Sequence, residues 1–169
     1  VEYCSTLQCK ITTLPGIYQL LDNMVSVSYL HPVDIEDLLQ RDPVQLDDAL
    51  VRQYVQGRSV LISGAGGSIG SELCRQVIQM HPRQLILLGH GENSIYTIYQ
   101  ELLYRYGGDL LIPVIVDVRD KPQLAKVFAE YRPEVVFHAA AHKHVPLMER
   151  QPMAAILNNV YGTRNMAET

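Results

Sequence analysis

The sequence predicts an α/β fold in which helices cover both faces of a doubly wound parallel sheet of about four strands. Three observations predict this fold. From Arg58 onward strand and helix segments alternate, the strand segments are apolar on both faces, and a glycine-rich turn follows the first strand. Strands of this kind are typical of parallel sheets buried between helices. Right-handed crossovers then give the spatial strand order 3-2-1-4.

Each element of residues 58–169 has its own signal in the sequence. The buried run Ser59–Ser63 precedes a helix over 69–80, which His81-Pro82 ends. The apolar run 84–88 precedes a helix over 94–106, which Gly107-Gly108 ends. A third strand is predicted over 110–116, although Pro113 weakens it because proline donates no ladder hydrogen bond.

The remaining elements complete the alternation. Asp120 can cap a helix over 123–131, and the apolar run 134–138 follows as the fourth strand. Pro152 suits the first turn of a last helix over 152–168. Residues 58–169 are therefore predicted as one dinucleotide-binding half-domain.

Residues 1–57 do not continue this pattern. Two short strand candidates, Cys9–Leu14 and Met24–Leu30, are too little to bury a core, so residues 1–30 are predicted as the tail of an upstream α/β domain. Residues 31–57 are predicted as a linker, in which His31-Pro32 ends the strand and Asp34 and Asp47 each cap a short helix. Since the chain starts with Val and stops within a helical pattern, we expect a piece of a longer protein.

Composition excludes several classes of function. The 169 residues carry a net charge of −4 without a basic stripe, so nucleic acid is not an expected partner. No apolar run approaches the roughly 18 to 20 residues of a membrane span, and no signal peptide is visible. The three cysteines lack metal-ligand spacing, so we expect reduced thiols in a cytoplasmic protein.

The glycine-rich turn is the main functional signal. The spacing of Gly64, Gly67 and Gly70 fits G-x-x-G-x-x-G, between a strand and a helix that begins near Ser68. Glycine permits the tight turn and lets a pyrophosphate approach the backbone N–H groups at the positive end of the helix. The spacing resembles that of the extended short-chain dehydrogenase/reductase superfamily. The cofactor-binding candidates of this turn are Gly64, Gly66, Gly67, Ser68, Ile69 and Gly70.

Two strand ends supply candidates for the adenosine half of a dinucleotide. At the third strand, Asp117 can accept a hydrogen bond from the adenine amino group and the Val118 N–H can donate to a ring nitrogen; helix capping is the alternative role for Asp117. At the second strand no carboxylate stands where NAD-specific sites hold the ribose hydroxyls. His90 with Asn93 or Ser94 can bind a 2′-phosphate there, while Glu92 can still reach the ribose. We therefore expect a slight preference for NADP over NAD.

The fourth strand leads to candidates for the other half of the ligand. The small residues Ala139, Ala140 and Ala141 allow close approach of a flat nicotinamide ribose, although tight loop packing explains them equally. His142 and His144 have no third ligand nearby, so no metal site is expected. Lys143 can meet a substrate phosphate or hydroxyl, or remain a solvated lysine. On the last helix, Asn159 can hydrogen-bond to a loop backbone beside the cofactor.

Four segments of the chain form a combined pattern: Ser63–Glu72, Leu88–Tyr96, His138–Glu149 and Asn159–Thr163. Together they resemble the CapD-type polysaccharide biosynthesis proteins, and the resemblance covers nearly the whole chain. Val33–Leu39 and Asp42–Val44 are also similar to the segment that joins the two domains of the larger, membrane-anchored members. The resemblance implies a partial Rossmann fold and a nucleoside-diphosphate-sugar 4,6-dehydratase or epimerase that feeds capsule, O-antigen or glycan assembly.

The resemblance also implies a reaction. Such enzymes bind NAD(P) tightly and act on UDP-N-acetylhexosamines, removing hydride from C4, eliminating water across C5–C6 and returning hydride to C6. Lys143 and His144 are the candidates for substrate binding. The resemblance also implies a parent protein anchored at the cytoplasmic membrane face by helices that this chain lacks.

This chain departs from the family pattern in one important respect. The family's Asp-Lys segment and Tyr-x-x-x-Lys pair follow the Asn159 helix, whereas none of the tyrosines here has Lys four residues later. We therefore assign no catalytic residue and expect the fragment alone to be inactive. A non-catalytic NAD(P)-binding sensor module and a C4 epimerase or reductase remain alternatives. An uncovered fourth strand would favour self-association into a homo-oligomer, which a monomer mass in solution would contradict.

Overall fold

The computed structural model describes Thr12–Thr13, His31–Pro32 and residues 48–169. The chain divides into two units, Val1–Leu46 and Asp47–Thr169, so the division falls within the predicted linker. In the first unit, strand β1 (Thr12–Thr13) pairs antiparallel with strand β2 (His31–Pro32). The prediction that His31-Pro32 only ends a strand is wrong, because a two-residue pairing tolerates a residue without an amide hydrogen.

The other predictions for the first unit concern residues outside the described ones. These are the remainder of the strand candidates Cys9–Leu14 and Met24–Leu30, and the cap at Asp34. The cap predicted at Asp47, in the second unit, also lies outside the described residues.

The second unit alternates strands and helices from β3 to β6. Its elements are α1 (Asp48–Val55), β3 (Ser59–Ser63), α2 (Ser68–Ile78), β4 (Gln84–Gly89), α3 (Glu92–Tyr106), β5 (Leu111–Ile115), α4 (Lys121–Tyr131), β6 (Val135–His138), α5 (Val145–Arg150), α6 (Pro152–Ala155), a π-helical segment (Ile156–Gly162) and α7 (Thr163–Glu168). The four strands are parallel in the order β5-β4-β3-β6. This order confirms the predicted 3-2-1-4 arrangement of a Rossmann-type sheet.

Alternate residues of β3 enter two separate hydrophobic cores. Val60 and Ile62 pack with buried residues of α2 and α3, while Leu61 packs on the opposite face with residues of α4 and α7. Burying one such side chain contributes about 1.5–3 kcal/mol, so both faces of the sheet hold it in place. The sheet is therefore doubly wound, as predicted.

Cys74 belongs to the first of these cores. It is completely buried, and burial raises the pKa of its thiol to about 12. A thiol in this environment is neutral and unreactive, as expected for a cysteine that fills space.

The two edge strands are not buried on both faces, so the prediction that every strand is buried in this way is wrong for them. Ile115 of β5 and Val136 of β6 are exposed, whereas β3 is buried throughout. Strands β5 and β6 lie at the two edges of the described sheet, where each has only one neighbouring strand. The edge position also explains how β5 accommodates Pro113.

The predicted single helix over 152–168 is also wrong in detail. A separate helix, α5, precedes it, and the helix itself passes through the π-helical segment Ile156–Gly162. The wider turn brings Gly162 so close to Val118 that an added Cβ would lie 2.8 Å from the valine Cγ2 atom. Apolar periodicity does not report such a change of pitch.

The remaining boundaries agree to within two residues. As predicted, Asp120 caps α4, because its carboxylate accepts a hydrogen bond of 3.1 Å from the Gln123 N–H. No helix among the described residues is long and apolar enough to cross a bilayer.

Candidate functional site

The glycine turn after β3 is held together by contacts that only glycine allows. Gly64 has a φ of +66°, and an added Cβ would lie 2.8 Å from backbone atoms of Ala139 and Ala140. At Gly70, an added Cβ would lie 2.0 Å from the Gly64 carbonyl oxygen. These separations are shorter than any van der Waals contact, so neither position has room for a Cβ atom. The turn can therefore pack closely against the first turn of α2. The sequence spacing predicted this arrangement.

The same turn leaves amide groups free to bind a ligand. Helix α2 begins at Ser68, as predicted. The Ser71 N–H is the first amide of the helix that donates a hydrogen bond to the turn, to the Gly67 carbonyl at 2.8 Å. The amides of Ser68, Ile69 and Gly70 have no acceptor among the described residues. Three unpaired N–H groups and the positive helix end suit an anion.

A cleft of about 240 Å³ opens beside this turn, and we call it the switch-point cleft. It lies where the carboxyl ends of β3, β4 and β6 meet and the strand order reverses, which is the usual ligand position in such sheets. Its lining is Gly64, Gly66, Gly67, Gly89, His90, Gly91, Ser94, Val116, Val118, Ala139, Ala140, Ala141, His142 and Asn158. Much of this lining is glycine and alanine, so a ligand has room to lie against the backbone.

Asp117 stands between two residues that line the cleft, and its carboxylate is paired with Arg119. The Arg119 side chain contacts Asp117 Oδ1 at 2.9 Å and Oδ2 at 2.5 Å, and the Arg119 N–H donates to Oδ1 at 2.9 Å. These hydrogen bonds lower the pKa of Asp117 to about 2. The carboxylate is therefore ionised over the physiological range and able to accept further hydrogen bonds.

Buried Asn165 supports the same turn from beneath. Its Nδ2 atom donates to the carbonyl groups of Val118 and Arg119 at 3.1 Å each. The Val118 N–H, by contrast, donates to no acceptor among the described residues. The turn thus has a carboxylate acceptor and an unpaired N–H donor on adjacent residues; their contact with an adenine ring stays a prediction.

The second strand end carries His90 into the cleft, whereas Asn93 lies on the exposed first turn of α3 and outside the cleft lining. Helix α3 packs directly on the glycine turn, since a Cβ on Gly66 would lie 2.4 Å from Ser94 Oγ. No carboxylate appears in the lining at this strand end. The contact between Gly66 and Ser94 had no signal in the sequence.

The loop after β6 is fixed by Asn159. Its Oδ1 atom accepts from the His142 N–H at 2.8 Å, and its Nδ2 atom donates to the His142 carbonyl at 2.9 Å. Asn159 therefore makes the predicted hydrogen bonds to a loop backbone, although Asn158 rather than Asn159 lines the cleft. Ala139, Ala140 and Ala141 lie in that loop and face the cleft.

Lys143 and His144 lie outside the switch-point cleft. Lys143 lines a neighbouring apolar groove with Met148 and Ile156, and the His144 carbonyl accepts the first hydrogen bonds of α5. Among the described residues, no group of three or more potential ligands is placed to hold a metal ion.

Comparisons with known proteins agree with this geometry. The family described as "Polysaccharide biosynthesis protein" matches residues 60–169. The capsular polysaccharide biosynthesis protein CapD of Staphylococcus aureus is 50% identical over 169 residues, covering 99% of this chain and 28% of that protein. A UDP-N-acetylglucosamine 4,6-dehydratase (inverting) of Campylobacter jejuni is 31% identical over 116 residues, covering 66% of this chain and 32% of that protein.

A solved structure shows the same fold. The UDP-glucose 4-epimerase of Stenotrophomonas maltophila, with bound NAD and formylated UDP-arabinopyranose, superposes with a TM-score of 0.59 at 26% identity. The match covers 66% of this chain and 32% of that one. The chain thus spans about a third or less of the length of each of these three proteins.

The glycine turn generates a test with a matched control. Gly64 and Gly57 both have positive φ, of +66° and +70°, but a Cβ on Gly57 would meet nothing within 4 Å. We expect Gly57→Ala to cost about 1–2 kcal/mol of unfolding free energy from backbone strain alone. Gly64→Ala adds overlap with the Ala139 and Ala140 backbone, so its cost is greater by about 1–3 kcal/mol. Urea unfolding monitored by circular dichroism measures both, and equal losses would contradict the close packing of this turn.

Proposed function

We propose, because the chain belongs to the polysaccharide biosynthesis protein family, that it provides the NAD(P)-binding part of a nucleotide-sugar 4,6-dehydratase acting on a UDP-N-acetylhexosamine. The observation that carries the proposal is the glycine turn with its unpaired amides beside the switch-point cleft. The similarity to a capsule biosynthesis protein and to a UDP-N-acetylglucosamine 4,6-dehydratase supports the reaction class.

The glycine turn suits a dinucleotide because its shape leaves space that side chains would fill. The amides of Ser68, Ile69 and Gly70 would hold the pyrophosphate at the positive end of α2. Gly64, Gly66 and Gly67 line the adjacent part of the cleft without side-chain atoms. A phosphate oxygen can therefore approach the backbone directly.

Asp117 and Val118 would bind the adenine ring. The ionised Asp117 carboxylate would accept from the exocyclic amino group, and the Val118 N–H would donate to a ring nitrogen. The Arg119 partner keeps Asp117 ionised, because it lowers the pKa of that carboxyl to about 2. Adenine recognition through Asp117 would then be independent of pH between about 4 and 9.

His90 and the first turn of α3 would bind a 2′-phosphate. The amides of Glu92, Asn93 and Ser94 stand at the positive end of a fifteen-residue helix, and His90 projects beside them. Glu92 on the same turn opposes a second negative charge, so we propose only a slight preference for NADP over NAD.

The loop Ala139–Ala141, held by Asn159, would pack against the nicotinamide half of the ligand. The dinucleotide supplies the hydride acceptor and donor of the proposed reaction. This chain's residues would bind and orient it, and Lys143 in the neighbouring groove, with His144 next to it in the chain, would contact the UDP-sugar.

The setting of the whole protein is part of the proposal. We propose a cytoplasmic enzyme of polysaccharide biosynthesis, anchored at the membrane by helices outside this chain. The exposed edge of β6 supports further association, either with additional strands or with a second copy.

The adenine contact is tested by removing the amino group from the ligand. Nicotinamide hypoxanthine dinucleotide carries oxygen at that position and a hydrogen on N1. We therefore expect it to bind at least about tenfold more weakly than NAD, because the charged hydrogen bond to Asp117 alone contributes about 1.4 kcal/mol. Asp117→Asn supplies an amide that can donate to this oxygen and should reduce the preference, while the hydrogen on N1 of hypoxanthine still opposes the Val118 N–H. Asp120→Asn keeps an equivalent helix cap nearby and should leave it intact. Isothermal titration calorimetry measures the affinity of the wild-type chain and of both variants for each dinucleotide, and an unchanged preference in Asp117→Asn would refute the adenine site.

The preference for NADP is tested with a pair of histidine variants. An exposed ion pair contributes up to about 1 kcal/mol, so we expect NADP to bind up to about fivefold more tightly than NAD. His90→Asn should remove this difference. His81→Asn is the control, because His81 lies before β4 at the opposite end of the sheet and its φ of 55° is one that Asn tolerates. A wild-type preference for NAD would show that the assignment of His90 is wrong.

The proposed loss of activity in the fragment is tested directly. In the described part of the chain the cleft lining contains neither tyrosine nor lysine, so no Tyr-Lys pair is present to move a proton. We expect the chain to bind NADP but to form no 4-keto-6-deoxy product from UDP-N-acetylglucosamine. The Campylobacter jejuni dehydratase serves as the positive control. Turnover by the chain would contradict the proposal, and formation of a C4 epimer by the complete protein would replace the dehydratase assignment with an epimerase.

A further inference from the structure

A continuous hydrogen-bonded chain of side chains crosses from the centre of the sheet to the last helix. The Oγ atom of buried Ser63, on β3, lies 2.6 Å from Nδ1 of His138, on β6. Nε2 of the same ring lies 3.0 Å from Oγ1 of Thr163, the first residue of α7. The imidazole therefore bridges two strands and a helix that are far apart in the sequence.

The positions of the hydroxyl hydrogens decide which ring nitrogen is protonated. Thr163 donates its hydroxyl hydrogen to the Asn159 carbonyl at 2.7 Å, so its oxygen is left to accept from His138 Nε2–H. Ser63 can donate to Nδ1 at 2.6 Å, whereas its other acceptor, the Phe137 carbonyl, lies at 3.5 Å. In the opposite tautomer Ser63 would have to donate to this distant carbonyl, and Thr163 could donate to Nε2 or to the Asn159 carbonyl but not to both, so one short hydrogen bond would be exchanged for the long one. The geometry thus favours the neutral ring with its hydrogen on Nε2.

This chain closes into a ring that includes the loop of the switch-point cleft. Asn159, whose carbonyl receives the Thr163 hydroxyl, also holds both backbone groups of His142. From His142 the backbone leads through Ala139–Ala141 directly back to His138. Any displacement of the imidazole is therefore transmitted both to the π-helical segment and to the loop that lines the cleft.

Among the described residues, those that line the groove beside His138 carry no charge that would stabilise an imidazolium. The groove beside it is lined by Ile69 and Leu73 of α2, Phe137 of β6, the three alanines, and Asn159 and Thr163. None of these groups titrates, and partial burial lowers the pKa of His138. The ring is thus neutral at pH 7, which the arrangement of its hydrogen bonds requires.

We propose that His138 is a positioning residue: as the neutral Nε2–H tautomer it holds the π-helical segment at the carboxyl edge of the sheet and thereby fixes loop 139–142 of the switch-point cleft. The inference rests on the proposed function only for the identity of the ligand that this loop contacts. The ring makes no contact with a reacting group and acts through Thr163 and Asn159.

The test removes one hydroxyl and keeps the shape. Thr163→Val deletes the acceptor of His138 Nε2–H, whereas Thr163→Ser retains it. Thr97→Val is the matched control, because Thr97 makes the same hydrogen bond to a carbonyl four residues earlier, at 2.8 Å, without contacting a histidine. The three variants separate the contact with the imidazole from the general effect of losing a helix hydroxyl.

Two measurements need no ligand. Long-range ¹H–¹⁵N spectra should show His138 as the Nε2–H tautomer with a slowly exchanging ring hydrogen, which disappears in Thr163→Val and persists in Thr163→Ser. Hydrogen exchange of the His142 amide should accelerate about tenfold in Thr163→Val, because about 1.4 kcal/mol of hydrogen bonding is lost from the ring of contacts. It should stay at the wild-type rate in Thr163→Ser and Thr97→Val.

The outcomes distinguish this inference from the proposed function. An Nδ1–H tautomer in the wild-type chain, or unchanged His142 exchange in Thr163→Val, would overturn the role of His138 whether or not NADP binds. If both signatures appear but neither dinucleotide binds, the positioning role stands and the proposed function fails. If both signatures appear and binding also occurs, we expect Thr163→Val to weaken NADP binding by about tenfold, the same loss of about 1.4 kcal/mol, with the affinity restored in Thr163→Ser.

Discussion

The contact between Gly70 and the Gly64 carbonyl is the constraint on which the rest of the site depends. Because Gly70 has no side chain, the first turn of α2 packs directly against the end of β3. An added Cβ on Gly70 would lie 2.0 Å from the Gly64 carbonyl oxygen. This packing holds the first turn of α2, with its unpaired amides, next to the glycines of the turn that line the cleft. A wider turn would displace the helix axis and move those amides away from the carboxyl ends of the strands.

The order of the strands explains why several weak signals meet at one place. β3 lies between β4 and β6, so the segments after these three strands, together with the turn after β5, surround one cleft. Residues separated by more than 70 positions in the chain, such as Gly64 and Ala139, come into backbone contact there. The sequence predicted this convergence because parallel strands with right-handed crossovers leave little topological freedom.

What the sequence did not predict are features that depend on three-dimensional packing. The glycine spacing, Asp120 as a cap and the bond from Asn159 to a loop are local or follow from element order, and they were predictable. The π-helical segment, the support of the Val118 turn by Asn165 and the bridge from Ser63 through His138 to Thr163 join residues from separate elements. Serine, threonine and asparagine at such positions look like ordinary polar residues, because nothing in their neighbours reveals the partner.

Loop 139–142 is held from two independent directions, and this bears on how the cleft keeps its shape. On one side the Gly64 backbone leaves no room for a Cβ against Ala139 and Ala140, while on the other Asn159 binds both backbone groups of His142. The first restraint is steric and comes from β3; the second is a set of hydrogen bonds that depends on one neutral imidazole. A steric restraint resists compression only, whereas hydrogen bonds also resist separation. The two together therefore fix the loop in both directions, as the proposed binding of a flat ligand in one register requires.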